Sequence, residues 1–133
     1  MTRISLLLVV SFVVFALAGL AARRAQDAPL DPRIAAYDKG PAKIDVSKYP
    51  ADMQAKYKVF AKKCSGCHTL ARAINSDFAL EDEWERYVKR MMNKAGSSVI
   101  SADEGKQIYD FVVYDSKTRK KDLYERKLKE AGK

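Results

Sequence analysis

Histidine occurs once in these 133 residues, and cysteine only twice. A single histidine excludes bis-histidine ligation of a metal within one chain. Two cysteines and one histidine also fall short of the roughly four protein ligands of a structural zinc site. The four prolines all lie before residue 51, at Pro29, Pro32, Pro41 and Pro50, so none interrupts a helix further on. No paired carboxylates, Ser/His/Asp set or phosphate-binding glycine loop is visible, which argues against an enzyme. There is no internal repeat, low-complexity block or nucleic-acid motif. Lysine and arginine number 25 against 17 acids, a formal charge of +8. That balance points to acidic partners or an anionic surface and, without such a motif, away from nucleic acid.

What is present is concentrated. Both cysteines and the histidine fall in Cys64-Ser65-Gly66-Cys67-His68. This reads C-x-x-C-H, the attachment signature of a c-type haem. Each thiol can form a thioether to one vinyl group of the macrocycle, and His68 then offers an imidazole nitrogen to the iron. Small residues at 65 and 66 let the backbone approach the ring edge. A thioredoxin-like redox pair needs a βαβ context that is absent, and a bare disulfide leaves His68 unexplained. One covalent haem c is therefore the expected cofactor.

Residues 1–22 are a separate object, a signal peptide or transmembrane anchor. After Arg3, residues 4–22 run without a charge; as a helix they measure about 28 Å, close to the hydrocarbon thickness of a bilayer. Ala16-Leu17-Ala18 and Gly19-Leu20-Ala21 both fit a small-x-small cleavage site, while the length favours an uncleaved apolar helix. No cysteine follows the run, so a lipoprotein anchor is excluded. Either outcome places the remainder on the periplasmic side of a bacterial inner membrane, anchored or soluble after cleavage. That agrees with haem attachment after export.

Residues 23–50 read as a proline-containing linker rather than a helix. It is either a flexible spacer or a strap across the domain anchored by Tyr37 and Ile44. A helix from Ala51 to about Lys63 is expected, with Met53, Tyr57 and Phe60 on one face. Thr69 to Phe78 reads as irregular, with Leu70 and Ile74 packing on the haem edge; Phe60 and Trp84 are also expected to touch the haem. Arg72 there is either a propionate partner or a solvated side chain. Leu80 to Ala95 forms the next helix, capped by Ser76 or Asp77 and stopped by Gly96. Acids crowd its start and bases its end, complementing the macrodipole. Ser101-x-x-Glu104 is a capping box opening a helix to about Ser116, with Gly105 offering a close crossing near Phe60. Residues 117–133 read as a solvent-facing charged helical tail with Asp122/Arg126 and Glu125/Lys129 pairs.

The iron needs a sixth ligand or an open position. Met91 and Met92 are the methionines within reach. At about 100° per residue, Met91 lies roughly 20° from Trp84 on the apolar stripe, and Met92 roughly 80° away. Met91 is therefore the preferred ligand, with Met92 as the alternative. If both are core filler, the iron is five-coordinate or takes a lysine such as Lys94.

Residues 49–116, about half the chain, resemble the small monohaem c-type cytochromes of class I. The resemblance is carried by Cys64-x-x-Cys67-His68, by Phe60 four residues earlier, and by the segment Trp84 to Met91 with Gly96 and the Ser101 helix after it. It implies an all-α cytochrome c-like domain, residues 51–116, with three or more helices wrapped around one haem and the first and last crossing. It also implies that Cys64 and Cys67 carry the haem, with His68 proximal and Met91 distal. Two departures stand out. Lys56 occupies the position, eight residues before the first cysteine, where class I members usually have glycine. No proline follows the motif to orient His68, so another carbonyl must do so.

The expected function is one-electron transfer, with both axial positions of the iron filled. Lys62, Lys63, Lys89 and Lys94 are expected to ring the haem edge and steer a redox partner with an acidic surface, within a membrane redox complex if the apolar segment is retained. The rival is a ligand-binding or peroxidase-like haem protein with an open distal site.

Overall fold

The apolar faces at helical spacing become helices, and among the described residues there are no strands. A computed structural model describes residues 30–96 and 99–132. The expected apolar helix within residues 1–22 lies outside them. No helix among the described residues is long and apolar enough to cross a membrane. The described residues from Arg33 onward form one compact unit.

The elements in order are α1 (Pro32–Asp38), α2 (Ala51–Cys64), α3 (Ala71–Ile74), α4 (Glu81–Ala95), α5 (Ala102–Arg119) and α6 (Lys121–Glu130). Helix α5 is the hub. Helices α2 and α4 each pack against it and not against each other. Between α2 and α5 lies an aromatic stack, with ring centroids 5.3 Å apart for both Phe60–Phe111 and Tyr57–Phe111. Phe60 and Phe111 are essentially sealed from water. Lys56 sits at this crossing and pairs with Asp110 at 3.2 Å. The crossing thus carries an interhelical ion pair where glycine was expected.

Between α4 and α5, Trp84 is buried and its indole N–H donates to Ser116 Oγ at 2.8 Å. Gly105 is indeed a point of close approach, but its neighbour is Met92 rather than Phe60. A methyl group at residue 105 would collide with the Met92 thioether.

Several expectations are corrected. The linker contains a helix, α1: Pro32 takes the first helical position, where its fixed φ fits and its missing N–H costs nothing. The rest of the segment behaves as a strap. Ile44 is buried in the core, and its amide donates to the Tyr57 hydroxyl at 3.3 Å. The Tyr49 hydroxyl donates to buried Asp115 at 2.9 Å. The stretch read as irregular holds one helical turn, α3, which buries Ala71, Ala73 and Ile74.

The N-terminus of α4 is not capped by Ser76 or Asp77. Ser76 is buried and donates to the Ala73 carbonyl. Glu83 instead reaches back to accept from the Ala79 and Leu80 amides at 2.9 and 3.0 Å. Gly96 stops α4 with φ of 84°, and the Ser101/Glu104 capping box forms in both directions.

The largest correction is at the C-terminus. Helix α5 runs on to Arg119, and α6, which packs on α5 and buries no residue, is tied by side chains to the start of α4. Lys127 pairs with Glu83 at 2.6 Å, Lys117 with Glu81 at 2.6 Å, and the Tyr124 hydroxyl donates to Glu81 at 3.0 Å. Its own ion pairs run Lys121–Glu125 and Arg126–Glu130, a different register from the one expected. The acids that favour the start of α4 through its dipole are thus also docking sites for the tail's bases.

Candidate functional site

Because α2 and α4 pack on α5 but not on each other, the end of α2 and the second half of α4 are held apart. The space between them is a cavity of about 680 Å³, within the ordinary range of ligand sites. Cys64, Gly66, Cys67 and His68 line one side, and Tyr87, Met91, Lys94 and Ala95 the other. Ile34, Arg72 and Ile100 complete the wall.

Cys64 is the last residue of α2. Burial pushes its thiol up to about 12, so it is a neutral thiol. Cys67 is exposed on the turn that follows, and both cysteines are free. His68 is half-buried, and its Nδ1 lies 3.0 Å from the Thr69 carbonyl oxygen. A carbonyl only accepts, so this contact selects the Nδ1–H tautomer and leaves Nε2 with its lone pair. With no proline after the motif, the carbonyl that meets His68 is that of Thr69.

The two methionines share a small interior void but border different larger spaces. Met91 lines the cavity with the cysteines and His68. Met92 points to the other side of α4, against Gly105, and borders a second groove with Glu85, Lys89 and Tyr109. The 100° between consecutive helical residues is what divides them.

Arg72 lines the cavity but is neither solvated nor free. It forms a bidentate pair with Asp38, through Nε at 3.1 and 3.2 Å and through Nη2 at 2.5 Å. This bond holds the Asp38 carboxyl below its ordinary range. Four expected contacts do not line the cavity. Phe60, Ile74 and Trp84 belong to the core behind it, and Leu70 packs half-buried against that core. Their apolar surfaces were spent on α5 and its neighbours.

The expected lysine ring is also redrawn. Lys63 and Lys94 are at the cavity, while Lys62 is not and Lys89 borders the other groove, paired with Glu85. The cavity's cations are Lys63, Arg72, Arg90 and Lys94, and no carboxylate lines it. Lys63 is bound to Glu104 at 2.9 Å and to the Val99 carbonyl. Arg90 lies over the Tyr87 ring at 5.4 Å, and Lys94 pairs with no described carboxylate.

Tyr87 was missed as a site residue. It sits one helical turn before Met91 and joins the core to the cavity, and burial raises its phenol to about 12. Its membership of the Trp84 stripe was legible, but which stripe members reach past the core into the cavity was not.

The residues fit a haem on chemical grounds. One cavity offers two free thiols at attachment spacing, an imidazole with Nε2 available, a thioether on the opposite helix, and two cations, Arg90 and Lys94, with no described carboxylate partner. Among the described residues there is no group of three or more His, Cys, Asp or Glu side chains that could hold a bare metal ion. Comparison with protein-family models, curated proteins and solved structures finds no match for this chain.

Proposed function

We propose that the chain carries single electrons on one covalently bound haem c with His68 and Met91 as axial ligands. The observation that carries this reading is that Cys64, Cys67, His68 and Met91 all line one cavity of about 680 Å³. When bound, the haem supplies reversible one-electron oxidation and reduction at its iron.

The chain's residues would do the rest. Cys64 and Cys67 would hold the group through thioethers to its two vinyl substituents, each thiol proton passing to a vinyl carbon. His68 presents Nε2 to the iron while Nδ1–H is held by the Thr69 carbonyl. Met91 presents its sulfur from the opposite wall and keeps water and ligands from the metal. Arg90 and Lys94, which line the cavity, would supply cations for the carboxylates of the macrocycle. With no substrate position left at the metal, the protein transfers electrons rather than turning over a substrate. The site's positive rim suits a redox partner with an acidic surface, and attachment chemistry of this kind places the domain outside the cytoplasm.

The test begins with expression alongside c-type haem attachment machinery. Haem that stays with the polypeptide after denaturation is the expected result. The reduced spectrum is then recorded before and after adding carbon monoxide. An unchanged spectrum supports a methionine-protected iron and the carrier reading. Rapid formation of a carbon monoxide adduct overturns it in favour of a ligand-binding or peroxidase-like protein.

A further inference from the structure

Besides Ile34 in the cavity wall, the strap bonds to the residues around His68 through Asp38. Asp38 ends α1, and two side chains converge on its carboxylate. Arg72 grips it bidentately, and the Thr69 hydroxyl donates to it at 3.2 Å. Thr69 is the same residue whose carbonyl accepts from His68 Nδ1 at 3.0 Å. A continuous chain therefore runs from the imidazole through Thr69 to a carboxylate and its guanidinium, joining residues 31 and 34 positions apart in sequence. Around it, the Asn75 amide donates to the Tyr37 and Pro41 carbonyls on either side of Asp38, and to that of Ala71. The strap is thereby fixed to the α3 turn. These bonds hold the Asp38 charge beside the proximal histidine.

We propose that Asp38, latched by Arg72 and Thr69, is a positioning residue that aims the Thr69 carbonyl at His68 and sets the reduction potential of the iron that His68 binds. This rests on the haem reading above. Groups behind a metal-ligating histidine fix its orientation and tune its basicity. A carboxylate there favours the ferric state, which carries one more positive charge, and the guanidinium opposes it. The latch balances the two charges, so removing either one alone unbalances it in a predictable direction.

The experiment is a spectroelectrochemical titration of the full haem-loaded chain and its variants. Asp38→Asn keeps the shape and removes the negative charge, so the midpoint potential rises. Arg72→Gln leaves Asp38 uncompensated, so it falls. Each shift is expected to reach up to about tenfold in the ferric/ferrous equilibrium, about 59 mV for one electron. Arg72→Lys keeps the charge and loses the two-pronged grip, and shifts the potential less than Arg72→Gln does. Equal potentials in all variants, or shifts of one sign for both Asp38→Asn and Arg72→Gln, overturn the proposal while leaving the haem reading intact. A wild-type chain that takes up no covalent haem overturns the haem reading and this inference together.

Discussion

The two halves of α4 continue one apolar stripe and live in different surroundings. The first half, around Glu81, Glu83 and Trp84, is enclosed by α5, α6 and the loop before it. Its indole N–H, its N-terminal amides and its carboxylates all have protein partners. The second half, from Tyr87 to Ala95, has α5 on one side and the large cavity on the other. The void enclosed between α2, α4 and α5, lined from Phe60 and Trp84 to Met91 and Met92, is only about 10 Å³, near the minimum for one water. The cavity beyond Tyr87 measures about 680 Å³. One half of the helix is scaffold and the other is site, and the division falls at Tyr87, which touches both.

The strongest way to break this comparison is to remove the site and keep the scaffold. Replacing Cys64 and Cys67 by alanine should abolish covalent haem completely, as read by haem staining on a denaturing gel. The far-UV circular dichroism should retain its helical signature, because neither thiol is bonded within the fold. Next comes the methionine pair. Met91→Ala should open the iron to carbon monoxide and change the reduced spectrum. Met92→Ala should leave the spectrum alone and cost about 2 kcal/mol by loosening the contact with Gly105. A spectral change from Met92→Ala instead would exchange the roles given to the two faces of α4.

The scaffold is tested by Phe111→Ala, which removes the centre of the aromatic stack and should cost about 3–5 kcal/mol in denaturant unfolding. A smaller loss, below about 1 kcal/mol, would mean that the α2–α5 crossing is not the principal core.

The smallest effect concerns Lys120, half-buried with its ammonium donating to the Ser76 and Phe78 carbonyls beside the Trp84 ring. Burial pulls it down to about 8. The unfolded chain keeps that proton to about pH 10.4. Between about pH 8 and 9.5 the unfolded state therefore binds more protons, and stability should rise with pH by about 1–2 kcal/mol. Lys120→Met should flatten that slope in thermal melts. An unchanged slope would assign it to other groups.

The Glu81–Lys117–Tyr124 and Glu83–Lys127 contacts show why the tail was misread. Local spacing along residues 117–133 gives a thin apolar stripe and many charges, which is the pattern of a solvated helix. The partners that dock it, Glu81 and Glu83, lie more than 35 residues away and already had a local role at the start of α4. The same held for Arg72, whose partner Asp38 stands in a segment rich in proline and read as a tether.

Local chemistry was readable from the chain in one dimension. Cys64, Cys67 and His68 are joined by a spacing of three residues. The α2, α4 and α5 helices follow from a 3.6-residue period, and the Ser101 box and the Gly96 stop act within a turn of their own positions. Each of these depends on neighbours that covalent geometry brings together. Folding in three dimensions decided which faces were spent on the core and which were left for the cavity. It consumed Phe60, Trp84 and Leu70, turned Met91 and Tyr87 toward the motif and Met92 toward Gly105, and brought Asp38 to Thr69 and Arg72. These are contacts between distant segments, and their pairing follows from how α2 and α4 share the surface of α5.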